Sequence, residues 1–205
     1  RNLELSKNIN KVTYVPVGDI GLKKNLKDTL VGTDCVIHCA GKIPDTNKIE
    51  NDQIKAYHLA NVEVTKKIAE QAVDAGAKRL IFLSSIKVNG ENTYDNCDVT
   101  GKNYRIKKIF SHTDIASPED LYATSKLEAE KALWEVSSRA GLEVVVMRLP
   151  LVYGHGIKGN LARLIKLVKS GIPLPLSLVK TQRSMIGMDN LVDLLIHCID
   201  HLEAS

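Results

Sequence analysis

Ser117-Pro118-Glu119-Asp120-Leu121-Tyr122-Ala123-Thr124-Ser125-Lys126 is the stretch on which the reading of this chain turns. It has the make-up of a helix entry. Ser117 can cap, Pro118 suits the first turn, and Glu119 and Asp120 complement the positive end of a helix. Tyr122 and Lys126 are four residues apart, so they lie on one helical face and can point into one cleft. A phenol titrates near pH 10, so only ~0.1% is phenolate at neutral pH. A fixed cation nearby lowers that value by about one to three pH units. The pair can therefore act as a proton-transfer device. A bare Tyr-x-x-x-Lys is more often a solvated pair on a helix surface, so its weight comes from the flanking chain.

Downstream, the helix is expected to run from Tyr122 to Ala140 and stop at Gly141. A strand follows over Glu143 to Arg148, then a turn at Gly154-His155-Gly156 and a helix from Asn160 to Ser170. Gly171, Pro173 and Pro175 break the chain. A short strand over Ser184 to Ile186 and a helix over Asp189 to His201 close it. Upstream, strands are expected over residues 11–17, Cys35 to Cys39 and Arg79 to Ser84. Helices are expected over residues 22–31 and from Asp52 to Ala75, the second ended by Gly76. Asn89-Gly90 makes a turn, and residues 91–116 show no period and read as a long loop. Strands that are continuous apolar runs, alternating with helices, imply an α/β fold with a parallel sheet covered on both faces. Ligands of such sheets bind beyond the carboxyl ends of the strands. Asp19, Ala40-Gly41, Ser84-Ser85 and the segment after Arg148 all fall there.

The 205 residues suffice for one ordinary core, with 44% hydrophobic and 25% charged residues and a net charge of +4. No basic stripe interleaved with aromatics supports nucleic-acid binding, and the basic run Lys102 to Lys108 reads as a solvated loop. No apolar run reaches membrane-spanning length and no signal peptide opens the chain, so no membrane partner is expected. Four cysteines, Cys35, Cys39, Cys97 and Cys198, form no C-x-x-C pair. Cys35-Val36-Ile37-His38-Cys39 reads as a buried strand rather than a zinc site, and no metal is expected. Free thiols suit a reducing, cytoplasmic setting. Trp134 reads as packing.

Seven stretches in order carry a family likeness: Gly18-Asp19-Ile20, His38 to Gly41, Asn61-Val62, Phe82 to Ser85 with Val88-Asn89-Gly90, Tyr122 to Lys126, Arg148 to Gly154, and Arg183 to Asp193. The chain resembles the extended short-chain dehydrogenase/reductases, specifically the NAD-dependent epimerase/dehydratase group acting on nucleotide sugars. The resemblance implies a Rossmann-like, doubly wound parallel sheet over 1–150 that binds NAD, with NADP as the alternative, and part of a nucleotide-sugar region over 151–205. It implies Ser85, Tyr122 and Lys126 as the catalytic set. Tyr122 is the acid/base, and Lys126 binds the nicotinamide ribose and depresses the Tyr122 pKa. Cofactor contacts fall at Asp19, Ile20, Cys39, Ala40, Gly41, Asn61 and Ser84. Asn61 also helps to hold the active-site geometry. Ser85, Asn160 and Arg183 match substrate contacts, Arg183 through a guanidinium fork suited to phosphate oxygens. On residue type alone, Asp19 also suits a strand-end turn, Asn160 a helix cap and Arg183 a surface charge.

The departures from the family pattern shape the expectation. No Gly-rich phosphate loop is present, and the chain reads as starting after the family's second strand, which leaves the strand at 11–17 without its sheet neighbour. A piece restricted to these residues is expected to bind NAD poorly. The latter part of the substrate region also reads as missing after Ser205. Ile86 and Lys87 stand where the dehydratase branch has an Asp-Glu pair, which disfavours a 4,6-dehydratase. Leu151 stands where many epimerases have Asn. The stretch Arg148 to Asn160 looks most like UDP-sugar 4-epimerases of surface-polysaccharide pathways, some 4-keto reductases included. The expectation is an NAD-dependent nucleotide-sugar 4-epimerase on UDP-hexose or UDP-N-acetylhexosamine, with a homodimer as a compatible assembly. A 4-keto reductase and a non-catalytic Rossmann-like binding protein are the alternatives.

Overall fold

The computed structural model describes residues 12–21, 25–43, 50–93, 109–157, 159–171 and 183–205. The molecule is built around β2, Arg79–Ser85, whose apolar run Leu80-Ile81-Phe82 is fully buried. Parallel neighbours flank it on both sides. On one edge is β1, Cys35–His38, with Cys35 opposite Arg79 and His38 opposite Phe82. On the other is β3, Glu143–Leu149, with Arg79 opposite Glu143 and Ser85 opposite Leu149. Alternation along these strands serves two faces at once. Leu80, Phe82 and Val144 pack with Ile68 and Ala69 of helix α3 (Val64–Asp74) and with Ala129, Leu133 and Val136 of helix α4 (Leu121–Ala140). Ile81, Val145 and Met147 pack with Cys198 of α6, Met188–Asp200. Burial of each large apolar side chain stabilises by about 1.5–3 kcal/mol. The expected Rossmann-like α/β architecture is present, with helices on both faces of a parallel sheet.

Helix α4 forms where it was expected, with a different entry. Asp120, not Ser117, is the N-cap, and its Oδ1 accepts from the Ala123 N–H at 2.6 Å. The Ser117 N–H is spent on the Val88 carbonyl at 2.9 Å, which holds Ser117-Pro118-Glu119 outside the helix. Gly141 takes φ +70°, the left-handed region that suits glycine, and stops the helix. Trp134 is half-exposed, a correction to its reading as packing.

Other elements depart further. The expected strand at 11–17 does not form over its described part. Residues 12–20 are irregular and 12–16 are exposed. A strand needs a neighbour to take its ladder hydrogen bonds, and β1 pairs only with β2 among the described residues. Of the helix expected over 22–31, residues 22–24 lie outside the described residues and the rest forms one turn, α1, Lys27–Leu30. The long helix runs from α2, Glu50–Tyr57, through a π-helical turn, His58–Glu63, into α3. The sequence reading did not contain that turn. After β3, strand β4 (Leu151–Tyr153) pairs in parallel with β5 (Met185–Gly187), and α5 (Asn160–Lys169) lies between them in the chain. The expected turn and helix over 154–170 and the last strand and helix are therefore present within a residue or two. Residues 94–108 of the expected loop lie outside the described residues, as do Pro173, Pro175 and Cys97. Cys35, Cys39 and Cys198 carry free thiols. No helix among the described residues is long and apolar enough to cross a membrane.

One polar side chain fastens the far end of the sheet. Arg79, 5% exposed, donates through Nη1 to the carbonyls of Cys198, Ile199 and His201, and pairs with Glu143 at 2.6 Å. It thereby takes up carbonyls that the C-terminus of α6 leaves without helical partners.

Candidate active site

The carboxyl ends of β1, β2 and β3 open into a cleft of about 230 Å³. Cys39, Gly41, Ser84, Ser85, Tyr122 and Lys126 line it, together with Leu149 at the end of β3 and Pro150 beyond it. The three expected catalytic residues thus share one cavity, at the place where a parallel sheet binds its ligands. A larger apolar cleft of about 510 Å³ opens on another face of α4, between Leu121, Thr124 and Ser125 and the Ile54–Leu59 segment. It lies off the strand ends, and the chemistry is sought in the smaller one.

Each catalytic candidate is held by its local structure. Ser85 closes β2 and caps the 3-10 turn Ile86–Val88, where its Oγ accepts from the Lys87 N–H at 3.3 Å. Lys126 is 5% exposed. Its Nζ donates to the Leu83 carbonyl at 2.9 Å and sits 4.5 Å above the Phe82 ring. Burial pulls its pKa down to about 8, against the opposing charges of Glu130 and Cys39. Tyr122 meets Tyr57 edge-on at 6.3 Å. Burial pushes the Tyr122 phenol above its ordinary value, and the Asp120 carboxylate adds to this. The Lys87 charge opposes the rise. The phenol, expected below its ordinary value, thus lies above it, and the Lys126 ammonium donates to the Leu83 carbonyl.

Asn61 sits in the π turn and is 1% exposed. Its Oδ1 accepts from the Lys42 N–H at 2.6 Å. Its Nδ2 donates to the Lys42 carbonyl at 3.2 Å and to Ser125 Oγ at 2.9 Å. It therefore ties the loop beyond β1 to α4. π turns are frequent at functional sites because they re-aim a side chain out of the α-helical pattern. Gly41 passes close in front of it. A Cβ there would stand 3.3 Å from both Asn61 Oδ1 and Lys126 Nζ.

Ser84 reaches the cleft wall, yet its hydroxyl donates to Glu130 Oε1 at 2.5 Å. Glu130, 2% exposed, is gripped by Arg148 at 2.7 Å, and Arg148 reaches Asn89 Oδ1 at 3.2 Å. The Ser84 hydroxyl thus belongs to a buried network joining β2, α4 and β3. Asp19 is exposed and Ile20 packs against the core, both in the irregular segment. Ala40 is exposed just past β1, beside the cleft lining. Asn160 opens α5, and Arg183 is exposed ahead of β5 and does not line this cleft. Cys39 is exposed and lines the cleft. His38 is a core residue, bonded to Thr65 Oγ1 at 2.9 Å and stacked on Phe82. Two residues without an expected role emerge, Lys87 and Glu130. Lys87 was visible only as a departure from the dehydratase pattern, and Glu130 only as the residue one helical turn after Lys126.

The chain spans about half the length of the curated relatives that it covers most fully. It is 41% identical over 190 residues to a UDP-glucose 4-epimerase of Vibrio cholerae, covering 92% of this chain and 55% of the relative. Among solved structures it resembles MoeE5 in complex with UDP-glucose and NAD, at TM-score 0.69 and 26% identity, covering 90% of this chain and 57% of the other. It shares the fold of the UDP-glucuronic acid 4-epimerase of Bacillus cereus in complex with UDP-glucuronic acid and NAD, at TM-score 0.72 and 23% identity, covering 91% and 55%. Residues 1–204 match the 3-beta hydroxysteroid dehydrogenase/isomerase family, and the chain belongs to that family.

Proposed function

We propose that this chain is the cofactor-binding part, with a portion of the substrate region, of an NAD-dependent nucleotide-sugar 4-epimerase. The observation that carries the reading is the convergence of Ser85, Tyr122 and Lys126 on one cleft at the strand ends. The 41% identity to a UDP-glucose 4-epimerase supports it. A UDP-hexose or UDP-N-acetylhexosamine is the substrate class, residues 1–150 forming the cofactor domain and 151–205 part of the sugar-nucleotide region.

The cleft fits the nicotinamide-ribose end of such a cofactor. Gly41 brings bare backbone up to Lys126, and Lys126 spends one of its three N–H donors on the Leu83 carbonyl. Bound NAD supplies a hydride acceptor and donor at the sugar C4. Tyr122 takes the proton from the C4 hydroxyl and returns it after the keto sugar has turned over. Ser85 hydrogen-bonds the same oxygen and keeps it within reach of the phenol. Lys126 holds the ribose. Asp19, Arg183 and Asn160 serve the outer parts of the two ligands in this reading. A 4,6-dehydratase is disfavoured, because Lys87 occupies a dehydratase acid position and is already paired with Asp120 and Glu91.

The label at C4 tests this. UDP-glucose carrying deuterium at C4 should give UDP-galactose that retains the deuterium, because the same hydrogen leaves and returns. Loss of the label to solvent, or a 6-deoxy product, would overturn the epimerase reading.

A further inference from the structure

Lys87 has no part in the reaction just described, yet it is bonded to the serine turn and to two carboxylates. Its backbone N–H is accepted by Ser85 Oγ at 3.3 Å. Its ammonium pairs with Asp120 Oδ2 at 2.7 Å and with Glu91 Oε1 at 2.5 Å. Asp120 in turn caps α4 through Ala123, so Tyr122 lies between the two residues that this carboxylate organises. A chain of bonds therefore runs from the serine through Lys87 and Asp120 to the helix turn that carries the tyrosine. Charge-assisted bonds of this kind are short and directional.

The charges around the phenol come from several elements. Lys87 lies in the turn after β2 and Glu91 in the loop beyond it. Glu119, whose Oε1 accepts from the Glu91 N–H at 3.1 Å, precedes α4, and Asp120 caps it. Tyr57 comes from α2, and Lys126 stands one turn along α4. Burial, then Asp120 and Tyr57, raise the Tyr122 phenol, and the Lys87 charge pulls it down. Without it, the carboxylates of Glu91, Glu119 and Asp120 would stand together at this rim.

We propose that Lys87 is a positioning residue for Tyr122: paired with Asp120 and Glu91, it locks the serine turn to the start of α4 and sets a positive charge against the carboxylate that caps the tyrosine's helical turn. The proposal rests on the acid–base reading of Tyr122. In a dehydratase the same backbone position would carry a proton donor or acceptor for the sugar. Here it carries a clamp.

The test is the titration of Tyr122 in the full-length protein, read as the tyrosinate absorbance difference between each variant and its Tyr122→Phe partner. Lys87→Met should raise the titration midpoint by about one pH unit. The acid limb of kcat should move up with it, and KM should change less than kcat. Asp120→Asn keeps a side-chain cap for α4 and should move the midpoint the other way. Lys87→Arg should restore the wild-type midpoint. Opposite signs for the Met and Asn variants separate a charge effect from a loosened turn. Superimposable titrations for Lys87→Met and wild type, or shifts of the same sign in both variants, would overturn the proposal. If the wild-type protein epimerises no nucleotide sugar, the functional reading falls, and the absorbance titration still decides the role of Lys87.

Discussion

Asn61 spends its whole amide on the protein, two bonds to the Lys42 backbone and one to Ser125, and so ties the loop beyond β1 to α4. Its importance was legible in the sequence only through resemblance. Its orientation was not, because a π turn displaces every later side chain from the α-helical spacing on which a sequence reading depends. Ser84 and Ser85 differ for a related reason. Neighbours on a strand point to opposite faces, so the two hydroxyls could not share one role. Ser84 is on Glu130, and Ser85 caps the next turn. His38 yields a prediction at this scale. Burial, then the Lys126 charge, pulls its pKa down to about 4 from an ordinary 6.5. The unfolded chain therefore binds a proton below pH 6.5 that the folded chain refuses until about pH 4. The His38 contribution to stability should be level above pH 6.5 and should fall between those values, by at most ~3 kcal/mol. Urea unfolding at about pH 7 and about pH 5, either side of the unfolded-state value, checks it. His38→Asn should lose less stability over that interval than the wild type, and equal losses would refute the assignment.

Elements with their own periodicity were the legible ones. Helix α4, strands β2 and β3 and the glycines that end the helices needed no partner outside their own segment to be recognised. The strand expected at 11–17 failed for the opposite reason. A strand is completed by its neighbour, and no neighbour lies beside residues 12–17 among the described residues. The cap of α4 failed by three residues because the Val88 carbonyl claims the Ser117 N–H, a contact across 29 positions of sequence. The docking of α6 was equally invisible, since it depends on Arg79, which is more than a hundred residues away. Arg79→Met would leave the carbonyls of Cys198, Ile199 and His201 without that donor and Glu143 without its guanidinium. Glu143 is half-exposed, so the loss comes mainly from the carbonyls and should cost about 3 kcal/mol. Hydrogen exchange should show the loss first in the last turn of α6. Unchanged stability, or loss spread evenly over α3 and α4, would show that α6 is held by its apolar face alone.

Across the whole molecule, the sheet supplies a rigid floor and the strand ends supply the chemistry. The two faces are filled differently: α3 and α4 cover one and α6 the other. Only the side of α4 that meets the strand ends carries Tyr122 and Lys126 into the cleft. Resemblance identified the residues of the cleft better than it identified their bonds, because family motifs record positions while bonds depend on three-dimensional neighbours such as Lys87. The central claim is that the Tyr122 phenol moves the proton at the sugar C4 oxygen. The most direct test is the steady-state rate of UDP-glucose to UDP-galactose conversion by the full-length protein with NAD, wild type against Tyr122→Phe. The account predicts a kcat lower by roughly 10²–10⁴-fold with substrate binding nearly unchanged. A Phe variant that turns over at the wild-type rate would contradict it.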